Sequence, residues 1–72
     1  MKLSELPLNT PAVLAGFTAD TAETQRLVSM GFKVGNQVTV IRRIHNEHMI
    51  HCKVNSVEFA VRQSTANEIL LR

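Results

Sequence analysis

The sequence predicts a mainly β domain, a small barrel of about five short strands with one helix inserted after the first strand. Short apolar or alternating runs recur at residues 12–17, 37–44, 49–54, 57–61 and 69–71, each of ordinary strand length. Only residues 21–30 combine a capping signal with helical spacing. Isolated hairpins of this length are marginal, so the strands join one sheet, and curling that sheet hides its edges.

The elements follow in chain order. Leu3 and Leu6 lie three apart and read as one helical turn, which Pro7 ends. After Pro11, the run Ala12-Val13-Leu14-Ala15-Gly16-Phe17 is too short for a helix and reads as the first strand. Asp20-Thr21-Ala22-Glu23 has capping-box spacing, with Asp20 as the cap and Glu23 three residues on. A helix from Thr21 to Met30 would turn Leu27 and Met30 to the core, and Glu23 and Arg26 to water. Val28 falls off that apolar stripe, which leaves it exposed. Gly31 stops the helix and Gly35 marks a second turn.

The second strand sets Val38, Val40, Arg42 and Ile44 on one face, with Thr39 and Ile41 on the other. His45-Asn46-Glu47-His48 reads as a hairpin tip with Asn46 as its turn residue. Met49 to Val54 returns as the third strand, and Asn55-Ser56 turns into the fourth. Ser64 would cap a helical turn through Glu68, before Ile69-Leu70-Leu71 closes the chain.

With 72 residues and no repeat or linker, residues 1–72 form a single domain. Such a chain buries roughly 60 % of its unfolded surface. That leaves little room for an enzyme-sized pocket with a supporting shell, and favours binding over catalysis. The net charge of +2 is modest. Arg42 and Arg43 are the only adjacent basic pair, and on a strand they point to opposite faces. Cys52 stands alone, which excludes an internal disulfide and fits a reducing compartment. No apolar run approaches the roughly 20 residues of a membrane helix. The expectation is a soluble, cytoplasmic protein without membrane insertion.

His45, His48, His51 and Cys52 are all metal-ligand types. If Asn46-Glu47 is the turn, His45 and His48 could share one ion. His51 projects to the opposite face, and Cys52 lies about 13 Å farther along the strand than His48. Two ligands are too few for a structural zinc site, so no metal or other cofactor is expected, with His45 and His48 the only weak candidates. The serines lack a nucleophile-elbow context and the carboxylates are scattered, so no catalytic residues are assigned. Arg42, Arg43, Lys53 and Arg62 could line neighbouring strands, but no aromatic residues are interleaved to stack bases. No nucleic-acid partner is expected.

The run Arg26-Leu27-Val28-Ser29-Met30-Gly31-Phe32-Lys33-Val34-Gly35 resembles the "RL-x-x-LG-hydrophobic-x-x-G" signature of the FeoA family, small cytoplasmic proteins of bacterial ferrous iron transport. Leu3-Ser4-Glu5-Leu6 resembles the family's "LSEL" start, with Asn9 or Thr10 where a Gly is usual. Val57-Glu58-Phe59-Ala60-Val61-Arg62 and Ala66-Asn67-Glu68-Ile69 resemble its closing motifs, with Ser56 where a Gly is common. The hairpin tip departs from the family, being shorter and richer in His. The resemblance spans nearly the whole chain. It implies an SH3-like barrel and a non-enzymatic accessory role with FeoB, the membrane transporter that carries a cytoplasmic GTP-binding domain. Val28, Phe32 and Lys33 are the candidate docking residues. Weak self-association through exposed strand edges is also open. Two alternatives are a stand-alone regulatory domain like that of iron-dependent repressors, and a small nucleic-acid-binding barrel.

Overall fold

A computed structural model describes residues 1–72. Five antiparallel strands form one sheet: β1 (Ala12–Phe17), β2 (Gln37–Ile44), β3 (Met49–Val54), β4 (Val57–Arg62) and β5 (Ile69–Leu71). Their spatial order is β4-β3-β2-β1-β5. The helix α1 (Ala22–Ser29) separates β1 from β2, and a single-turn helix α2 (Gln63–Ala66) separates β4 from β5. The sheet curls at β1, which gives its first residues to β2 and its last to β5. Ala12 and Val13 face Val38 and Gln37, whereas Leu14, Gly16 and Phe17 face Leu71, Leu70 and Ile69.

The curled sheet closes over an aliphatic core that includes Leu3, Leu6, Leu14, Val38, Val40, Ile50, Val54 and Ile69. Phe32 and Phe59 stack within it, ring centroids 5.1 Å apart and planes at 13°. Phe17 is half-buried against the same core.

Four sequence expectations are corrected. The cap of α1 is Thr21, not Asp20. The Thr21 hydroxyl accepts the Thr24 N–H at 3.1 Å, and the Thr24 hydroxyl accepts the Thr21 N–H at 2.9 Å. That reciprocal pair satisfies two backbone donors that would otherwise be orphaned. Glu23 is thereby free to accept the Thr65 hydroxyl instead.

Met30 does not enter the core; it is 55 % exposed. The helix ends in a Schellman motif. Gly31 N–H donates to the Val28 carbonyl at 3.1 Å, and Phe32 N–H donates to that of Leu27 at 2.9 Å. Gly31 takes φ 120°, which a side chain would strain. The reversal carries Phe32 into the place predicted for Met30.

On β2 a bulge intervenes between Val40, which faces Cys52, and Arg42, which faces His51. Ile41 is the extra residue, so the strand's alternation slips by one. Arg42 turns outward rather than following Val38 and Val40. Arg43 takes the core side opposite Ile50, where its guanidinium donates to the carbonyls of Ser4 at 3.0 Å and Leu6 at 2.6 Å. These bonds fasten the N-terminal turn Leu3–Glu5.

Ser64 does not cap α2, which starts directly from Arg62 without a side-chain cap. Instead, Gln63 N–H donates to the His48 carbonyl at 2.7 Å and so extends the β3–β4 ladder by one bond.

Candidate functional site

The main concavity is an open groove of about 630 Å³ beside α1. Three separate segments build it. The end of β1 and the loop after it supply Gly16, Phe17, Thr18, Ala19 and Asp20; α1 supplies Thr24, Gln25 and Val28; the connection to β2 supplies Val34.

Backbone ties hold these segments together. Leu14 N–H donates to the Asn36 carbonyl at 2.9 Å, and Gly35 N–H donates back to the Leu14 carbonyl at 2.8 Å. The Asn36 side-chain amide donates to the Gly31 carbonyl at 2.9 Å. Gly35 takes φ 95° at the third position of the turn that Asn36 N–H closes onto the Lys33 carbonyl. This turn leaves Val34 60 % exposed. On the opposite wall Gln25 is exposed, and its amide donates to Asp20 at 2.9 Å. The groove is thus an apolar trough with a polar rim, the usual anatomy of a binding surface.

The predicted docking residues separate. Val28 is half-buried in the wall of the groove, so the helix offers it inward to the trough rather than outward. Lys33 is exposed beside Val34. Phe32 has no exposed surface and stacks on Phe59 in the core, so its side chain offers no surface for docking. Phe17, Thr24 and Val34 were not singled out from the sequence as lining residues. The signal available was two apolar residues, Phe17 at the end of β1 and Val34 in the turn before β2.

The histidines and the cysteine do not converge. His45 and His48 are both exposed at the hairpin tip and line a small cleft of about 200 Å³ with Arg43, Ile44, Met49 and Gln63. His45 belongs to a one-turn 3-10 helix, His45–Glu47, so it is not a cross-strand partner of His48. The tip's left-handed residue is His48 (φ 53°), not Asn46. His51 points to the outer face, opposite Arg42 and Ala60. Cys52 points inward with no exposed surface, and burial pushes its thiol from 9.0 up to about 12. Such a thiol is a poor nucleophile and a poor metal ligand at neutral pH. No three His, Cys, Asp or Glu side chains gather as metal ligands would.

This architecture is that of a small SH3-like barrel domain with a helix between its first two strands. The FeoA domain model matches residues 1–72, and the chain belongs to that family. FeoA from Stenotrophomonas maltophilia, solved as a zinc complex and described as a procaryotic SH3 domain protein, is similar at 32% identity and TM-score 0.86, covering 100% of this chain and 89% of that one. FeoA from Chlorobium tepidum is similar at 28% identity and TM-score 0.92, covering 100% of this chain and 69% of that one. Iron(II) transport protein A from Clostridium thermocellum is similar at 26% identity and TM-score 0.90, and this chain spans only 44% of its length. A manganese-dependent transcriptional repressor, at 18% identity and TM-score 0.86, shares the fold over 99% of this chain and 40% of its own. No curated protein matches the chain.

Proposed function

We propose that this chain is a non-enzymatic accessory protein of ferrous iron uptake that docks, in the cytoplasm, on the cytoplasmic part of a FeoB-type transporter. Membership of the FeoA family across all 72 residues supports the transport setting. The Stenotrophomonas relative has itself been proposed as a bacterial ferrous iron transport activating factor. The observation that carries docking is the apolar groove beside α1, with Val28 and Val34 in its wall and Lys33 exposed next to Val34 in the chain. No helix is long and apolar enough to cross a membrane. Burial moves the Cys52 thiol away from reactivity, which is the opposite of what nucleophilic catalysis needs.

Calorimetry against the transporter's soluble domain tests the reading. Val28→Glu places a charge in the trough and is expected to weaken binding about tenfold or more, the range of one lost apolar anchor. Lys53→Glu, on the sheet's outer face, is expected to leave binding unchanged. Equal affinity for wild type and a folded Val28→Glu protein would exclude the groove.

A further inference from the structure

The two edges of the sheet are finished differently. The outer edge of β5 is covered by the chain's own N-terminus: Lys2 bridges Leu70, and Leu71 N–H donates to the Met1 carbonyl at 2.7 Å. The outer edge of β4 pairs with nothing in the chain.

The backbone phase of that edge can be worked out. Val54 and Val57 flank the Asn55-Ser56 turn, and both turn residues have positive φ (50° and 68°). This is the two-residue hairpin geometry in which the flanking pair exchanges hydrogen bonds. Alternation then directs the backbone groups of Val57, Phe59 and Val61 toward β3. The Gln63 N–H bond to the His48 carbonyl continues the same phase. Glu58, Ala60 and Arg62 therefore aim their N–H and C=O groups away from the sheet. Their side chains are all exposed on the outer face, whereas Phe59 and Val61 are buried on the inner face.

We propose that β4 pairs antiparallel with β4 of a second copy of this chain, with Ala60 opposite Ala60 at the two-fold axis. This register joins Ala60 to Ala60 by two hydrogen bonds and gives each Arg62 N–H the Glu58 carbonyl of the second copy, while the Arg62 carbonyl stays with its own α2, which it opens. It sets Glu58 opposite Arg62 of the second copy, twice by symmetry, and places the small Ala60 side chains on the two-fold axis. On the inner face it sets Phe59 opposite Val61. Other registers are worse. Sliding one strand by two residues puts Ala60 opposite a charge and leaves an end of the ladder unmatched. Sliding by four sets Glu58 against Glu58, or Arg62 against Arg62, and like charges directly opposite are destabilising. Charge complementarity thus selects both the partner and the register. None of the residues lining the α1 groove lies on β4, so the pair leaves the groove free.

Sedimentation equilibrium on the full chain, from micromolar to millimolar concentration at low salt, tests the pairing. A reversible monomer–dimer equilibrium is expected. Glu58→Arg and Arg62→Glu should each weaken it about tenfold, because each replaces two attractive pairs by two repulsive ones. The double variant carrying both changes should return to within about threefold of wild type. Arg62→Glu also guards against an intrachain clash, since Glu58→Arg would sit beside Lys53. A monomer throughout the range overturns the proposal. So does a dimer indifferent to either single reversal, or one that the double exchange does not restore.

Discussion

The groove beside α1 and the tip of the β2–β3 hairpin are made from opposite materials. The tip holds the residues that look chemical: His45 and His48, with His51 and Cys52 close behind. The groove is walled by Phe17, Thr24, Val28 and Val34, none of which suggests a reaction. Yet the tip brings no three of its four residues together, whereas the groove residues converge. A strand sends neighbours to opposite faces, so His51 and Cys52 part company at once, and only His45 and His48 share a cleft at the tip. At the groove, backbone bonds from Leu14 to Gly35 and Asn36 tie β1 to the connection before β2, and the Asn36 side chain ties that connection to the end of α1 through the Gly31 carbonyl. Closeness in sequence is a poor guide to a site on a sheet; closeness to a tied loop is a better one.

The contrast breaks most sharply at Phe32. Phe32→Ala empties a fully buried ring site in the core, at a cost of about 3–5 kcal/mol. A domain of this size holds about that much stability in all. The variant is expected to lose most of its folded population, read by urea titration followed by circular dichroism. Substitutions at the hairpin tip should do nothing comparable.

Arg43 comes next. Arg43→Met keeps the side chain's apolar length but removes both donors from the Ser4 and Leu6 carbonyls. A loss of about 2 kcal/mol is expected, seen as a lower urea midpoint with an unchanged slope. A midpoint like that of wild type would mean that the inward arginine contributes nothing.

Cys52 predicts a pH effect whose sign follows from its raised pKa. Well below pH 9.0 both folded and unfolded thiols are protonated; between 9.0 and about 12 the unfolded chain is mostly thiolate while the folded chain keeps its proton. Stability therefore falls as pH rises through this window, by about 1 kcal/mol over the first unit. Cys52→Ser should flatten that part of the slope, and native Cys52 should resist alkylation at neutral pH.

The smallest effect belongs to the tip. His48→Asn keeps a residue that tolerates the left-handed conformation, and a change within about 0.5 kcal/mol is expected. A larger loss in thermal melts would show that His48 holds the hairpin by more than its backbone.

The strands were legible because their alternation reports burial directly. Val38 and Val40, or Ile50, Cys52 and Val54, announce an inner face without help from distant residues. The β2 bulge was not legible, since nothing in Val40-Ile41-Arg42 marks Ile41 as the extra residue. Its consequence, an arginine turned toward the N-terminal turn, depends on two carbonyls more than 35 residues away. The exchange of Met30 for Phe32 depended on one hydrogen-bond pattern past the helix end. The groove was legible only at Val28, because its other walls come from segments that meet through backbone bonds rather than through pattern.

Met1 and Lys2 lie along the rim of β5, and their position sets an upper bound on stoichiometry. A sheet open at both sides can add copies without limit, which is how soluble domains become fibres. With β5 already occupied, only β4 can accept a copy, and the first one fills it. The opening residues of the chain thus act as a chain terminator for assembly, holding the protein to a finite particle at high concentration.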